Sequence, residues 1–193
     1  MPSLDDGLYH RLNRRMHIDD ILEILYLYQE DEGFVRALSG FLTSDNKRIR
    51  DNAAWVMTHF DTEMLERNKE YILSLKSLCM ETTDTTMQRL LLTVFERLYT
   101  PQDTLDIAFL NYCLDGMGNP SLPVGTRALC MKLAWRQCRQ RAELKTEMLH
   151  ILRFMERETD MSPAVACVRN RILGMASSRK SKAVGHAMEG GNL

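Results

Sequence analysis

Residues 38–60 read LSGFLTSDNKRIRDNAAWVMTHF, and this stretch decides the fold. Leu38, Phe41 and Leu42 recur at the spacing of a helix that buries one face. The polar run that follows interrupts the pattern, and Ser44 or Asp45 is placed to cap a new helix start. Ile49, Ala53, Val56, Met57 and Phe60 then form a second apolar stripe, again at helical spacing. Two helices and a short turn make an α-hairpin. Neither helix can bury its stripe alone, so the segment predicts neighbours of the same kind.

The flanking sequence supplies them. On the N-terminal side Ile18, Ile21, Leu22, Leu25 and Tyr28 share one face of a helix beginning after His17, with Asp19 and Asp20 favourable near its start. This helix is the expected N-terminal cap, and residues 1–17 read as a partly ordered segment before it. On the C-terminal side Tyr71, Ile72, Leu75 and Leu78 mark one helix, and Met87, Leu91, Val94, Phe95 and Leu98 the next. Pro101 suits the first turn of the helix carrying Leu105, Ile107, Leu110, Tyr112 and Leu114. Beyond the turn DGMGNPSLP come Val124, Ala128, Met131 and Trp135. A last pair carries Met148, Ile151, Leu152 and Met155, then Val165, Val168, Ile172 and Met175. Residues 177–193 are small, basic and Gly-rich and read as a disordered tail.

The first stripe residue of each second helix is Ile49, Met87, Val124 and Val168, at intervals of 38, 37 and 44 residues. A period near 40 built from helix pairs is that of a helical solenoid. The chain here resembles HEAT repeats. Residues 38–60 carry the pattern most fully, with Asp45 in the turn, Ile49-Arg50 for the Val-Arg pair and Ala53 at the small-residue position. Met87-Gln88 and Val124-Gly125 lack the arginine, whereas Val168-Arg169 restores it. The resemblance covers residues 30–176. It implies an all-α, right-handed solenoid of about four HEAT-like repeats with an N-terminal capping helix, spanning residues 18–176. It also implies that the second helices line a concave, partner-binding surface, and that Arg50 and Arg169 are structural. No polar cap is visible at the C-terminal end, so the fourth hairpin either caps itself or joins another chain.

Composition narrows the function. Hydrophobic residues at 45% and charged residues at 26% are ordinary for a globular chain. No stretch has the form of a secretory signal, and none approaches the ~20 apolar residues that span a bilayer. The five cysteines are scattered without a C-x-x-C, which suits reduced core residues of a cytoplasmic protein. The five histidines assemble no site, and the familiar catalytic and nucleotide motifs are absent. No catalytic residue, metal or cofactor is therefore expected. Charge is uneven: residues 1–96 balance at −6 and residues 97–193 at +5.

Helical phase separates the two tryptophans. Trp135 falls within its apolar stripe and reads as core. On the helix of Ile49, Trp55 lies roughly 240° from Ile49, beside Arg48, His59 and Asn52 and away from the core. Arg48, Asn52, Trp55 and His59, with Gln88, Arg127 and Lys132 from later repeats, are the expected partner-binding residues. Lys132, Arg136, Arg139, Arg141 and Lys145 form the densest basic cluster, and Arg136, Arg139 and Arg141 are the candidates for phosphate contact.

Three readings compete. A non-catalytic adaptor would take a protein or peptide along the second-helix surface. A nucleic-acid enzyme similar to HEAT-like alkylpurine DNA glycosylases would need an acidic residue beside Trp55, and Asp51 is expected at the far side of that arc. Self-association could join the acidic half of one copy to the basic half of another. The adaptor is the favoured reading, without a membrane role and with nucleic acid disfavoured.

Overall fold

Helical periodicity and polar turns leave no room for a sheet. The computed structural model describes residues 4–98, 105–157 and 161–188, and every regular element in them is helical. The chain divides into two compact units, Met1–Tyr99 and Thr100–Leu193.

The first unit contains α1 (Leu4–Leu12), α2 (Ile18–Tyr28), α3 (Phe34–Phe41), α4 (Lys47–Met57), α5 (Thr62–Arg67), α6 (Lys69–Ser74), α7 (Lys76–Glu81) and α8 (Thr85–Leu98). Its centre is α4, packed against α1, α2, α3 and α8. Ile49, Ala53, Ala54, Val56 and Met57 are all fully buried, so the stripe read from residues 38–60 is the core. The cap of α4 is neither Ser44 nor Asp45. Asn46 takes that place, its side chain accepting from the Arg48 N–H at 3.0 Å, while Ser44 supports the Asn46 N–H.

Three further differences have local causes. Residues 4–12 form a helix where only partial order was expected. Leu4, Leu8 and Leu12 lie at i, i+4 and i+8, and Leu8 and Leu12 are fully buried. The stretch 62–81 is broken into three short helices. Asn68 turns its side chain back onto the Met64 carbonyl at 2.9 Å, and Asn68 and Leu75 have near-zero ψ. On α2 the buried residues are Ile21 and Ile24, with Tyr28 half-buried, while Ile18 and Leu22 face outward.

Charged side chains tie successive hairpins together. Lys47 reaches Asp51 at 3.1 Å on its own helix and Asp84 at 2.5 Å in the next turn. Arg50 donates to the Ser44 carbonyl at 2.7 Å and lies 3.7 Å from Asp84. Lys47 holds Asp84 below the usual carboxylate range through their hydrogen bond, and Asp84 in turn raises Lys47. Arg97 of α8 donates to the carbonyls of Thr58 and Phe60, closing the other end of the α4–α8 pair. The structural role expected of Arg50 fits this geometry.

The second unit contains α9 (Ile107–Gly118), α10 (Val124–Cys138), α11 (Ala142–Phe154), a 3-10 turn (Met155–Arg157) and α12 (Pro163–Met188). Here α10 is surrounded by α9, α11 and α12. Trp135 is buried, as its phase predicts, but Val124 is exposed and Thr126 and Arg127 are buried in its place. Arg127 donates through Nε to the Met117 carbonyl at 3.2 Å. The third repeat therefore has its turn arginine after all, three residues beyond Val124. Arg169 is also buried, bonded to Asn170 and 3.8 Å from Glu156. The backbone of α12 stays helical past Ser177, where composition placed the start of a disordered tail; residues without Pro and rich in Ala, Lys and Arg can propagate a helix. Pro101 and residues 1–3, 158–160 and 189–193 lie outside the described residues.

Candidate functional site

Helices α4 and α8 are the second helices of consecutive hairpins and pack side by side. Between their outer faces lies an open groove of about 290 Å³. From the α4 side it is lined by Asp51, Asn52, Trp55 and Thr58, which lie at spacings of one helical turn. From the α8 side it is lined by Thr86, Arg89, Leu90 and Thr93, again one turn apart. Trp55 is half-buried, and its ring meets the His59 ring edge-on with centroids 6.1 Å apart. Its indole N–H has no hydrogen-bond partner among the described residues, nor has the exposed Arg89 guanidinium an ion pair there. An aromatic plate, an apolar floor at Leu90, threonine hydroxyls and a cation thus converge on one depression. That combination can hold an apolar side chain while bonding to a polar backbone.

The expected binding residues divide sharply. Arg48 is exposed, one turn from Asn52 on the groove face of α4. Trp55 lines the groove, and His59 supports it: His59 Nδ1 lies 3.0 Å from the Trp55 carbonyl and 3.0 Å from Thr58 Oγ1 at the helix end. Asn52 is a correction. It is only 9% exposed, and its amide donates to the carbonyls of Leu12 at 2.7 Å and Arg14 at 3.0 Å. Its side chain fastens the end of α1 to α4, so the groove sees its flank alone. Gln88 and Arg127 are also corrections, being 8% and 5% exposed. Gln88 sits beside Met87 on the inward arc of α8, where its Oε1 is buried, and Arg127 is turned in toward Met117.

The basic cluster is less available than its spacing suggests. Lys132, Arg136, Arg139 and Arg141 are all half-buried. Arg141 donates to the Gln137 carbonyl at 2.6 Å and so closes the end of α10, while Arg136 and Arg139 also have partners within the protein. Arginines after a helix end are drawn to its last carbonyls, which diverts them from solvent.

Asp51 corrects the phase argument in the other direction. It stands beside Trp55 in the groove, because residues four apart on a helix are neighbours. Its carboxylate is held by Lys47, and Oδ1 is buried. Sequence reasoning passed over Thr86, Arg89 and Thr93, although their 3-and-4 spacing on α8 marks one polar stripe facing α4. A larger hollow of about 620 Å³ lies between α1 and α3, lined by Leu4, Asp5, Gly33, Arg36, Ala37, Gly40 and Phe41, and it contains no tryptophan.

Among the described residues no group of three or more His, Cys, Asp or Glu could hold a metal ion. No helix there is long and apolar enough to cross a membrane. Burial pushes the Cys138 thiol up to about 11, so this cysteine is an inert core residue.

Comparison with known proteins adds one finding. A family model described as HEAT repeat domain matches residues 8–176, most of the chain. No curated protein and no solved structure matches.

Proposed function

Because the chain belongs to the HEAT repeat domain family, we propose that it is a non-catalytic scaffold whose α4–α8 groove takes a protein or peptide partner. The observation that carries this reading is the groove itself, where Trp55 stands half-open beside Leu90 and an unpaired Arg89. Tryptophan and arginine in one depression are the residue types that dominate binding energy at protein interfaces. An extended segment or one face of a helix fits between two parallel ridges, its apolar side chain on Trp55 and its acidic groups toward Arg89 and Arg48. Free cysteines, four of them buried, suit a reducing compartment such as the cytoplasm.

Affinity capture from host lysate tests the proposal, comparing wild type with Trp55→Ala and Arg89→Glu, each with and without nuclease. Partners that survive nuclease and are lost with both variants support it. Partners captured equally by all three proteins overturn it.

A second reading has one observation in its favour. Asp51 lies beside Trp55, so the acidic neighbour that a glycosylase-like protein needs is present in the groove. Lys47 already neutralises that carboxylate, which favours the scaffold. Salt-sensitive DNA binding abolished by Trp55→Ala would reverse the preference.

A further inference from the structure

The end unit of a repeat stack is ordinarily polar on its outer face, since it has no further neighbour to cover it. Helix α2 is not. Tyr26 is 81% exposed and Leu22 54% exposed, and with Ile18 they form a stripe at i, i+4 and i+8. The buried Ile21 and Ile24 occupy the opposite arc, and the stripe is left uncovered by the described residues of its unit. An apolar strip of this kind marks an interaction surface. Its border carries Asp19 and Glu23, both exposed; Glu23 is paired with Arg11 at 3.0 Å, which leaves Asp19 as the acid beside the stripe.

That border restricts the occupant. In a two-fold antiparallel pairing of α2 with itself, the same flank meets its own copy, and Asp19 would face like charge with no cation opposite it. A complementary face needs an apolar stripe with a cation in it. Helix α12 carries one. Cys167, Arg171 and Met175 are exposed at i, i+4 and i+8, and Met175 is 44% exposed. Val165, Ile172 and Ala176 take up its buried arc. Gly174 lies at the edge of the exposed stripe, and a Cβ added there would meet nothing within 4 Å. The charges of the two halves, −6 over residues 1–96 and +5 over 97–193, agree with the same pairing.

We propose that α2 of one copy docks on α12 of another, so that the chain self-associates. Leu22 and Tyr26 pack against Met175, and Arg171 meets Asp19. This contact is separate from the α4–α8 groove and does not depend on it.

Sedimentation of the full chain across a wide concentration range, at low and high salt, tests the proposal. Wild type is expected to exceed the mass of a monomer at low salt and to fall toward the monomer as salt screens the Arg171 contact. Tyr26→Lys and Met175→Glu, both at exposed positions and checked by circular dichroism, are each expected to remain monomeric. An equimolar mixture of the two is expected to give a dimer and nothing larger, because one intact α2 face and one intact α12 face remain between them. A monomeric wild type at low salt and high concentration overturns the proposal. So does a mixture of the variants that fails to pair.

Discussion

Asn52→Ala separates a structural strut from a ligand contact at the one position where helical phase and packing disagree most. The Asn52 amide donates two bonds, 2.7 Å to Leu12 and 3.0 Å to Arg14, at a site only 9% exposed. Leu12 is the last residue of α1, so its carbonyl has no partner within the helix. A neutral hydrogen bond contributes about 1 kcal/mol net, and two of them about 2 kcal/mol, within a range of roughly 1–3 once unmet carbonyls are counted. For a chain of this length a loss of about 2 kcal/mol lowers the melting temperature by roughly 4–8 °C. Asn52→Asp is expected to lose more than Asn52→Ala despite its matching shape, because a carboxylate would face two carbonyl oxygens. Trp55 lies on the same helix and Trp135 in the other unit, so urea unfolding in a Trp135→Phe background reports on the first unit alone. Amide exchange in α1 should accelerate in parallel. A change below about 0.5 kcal/mol, with partner capture abolished, would refute the strut and return Asn52 to the binding surface.

Three other substitutions or probes test the packing. Asp84→Asn keeps an N-cap for α8 but removes the charge that meets Lys47. Asp84 is lowered in the fold, so its contribution is present above the unfolded carboxylate range and lost as pH falls through the folded value; the variant should flatten the acid limb of stability against pH below about 4. The effect at neutral pH should stay near 1 kcal/mol or less, since the Lys47 side chain is 58% exposed. Gly116→Ala would bring a methyl group within 2.8 Å of the buried Cys130 sulfur, where α9 meets α10. It should destabilise the second unit by about 1–3 kcal/mol in the Trp135 signal and leave the Trp55 signal unchanged. Thiol labelling of the native protein should modify the exposed Cys167 first, while Cys138, buried and raised to about 11, reacts only on unfolding. Equal rates at the two would contradict the packing of α10.

Local physics was legible in the sequence. Apolar residues recurring at helical spacing, polar turns and a repeat near 40 residues determined an all-helical chain of hairpins, and the segment 38–60 placed the core of α4 correctly. Trp135 as core followed from phase alone, and phase turned Trp55 away from the core of its own helix without deciding whether a neighbouring hairpin covers it. These depend only on the period of the helix and on what each side chain prefers. Tertiary structure decided which arcs are covered. Asn52 is drawn in because α1 ends above it, Arg127 because α9 offers it a carbonyl, and Arg141 because α10 ends beside it. Arg89 and Thr93 join Trp55 because α8 packs against α4. On α2 the neighbours cover Ile21 and Ile24 and leave Tyr26 bare, although all three are suited to a core. A helix turns every side chain to some direction, but burial requires a second element in that direction, and that element belongs to another part of the chain.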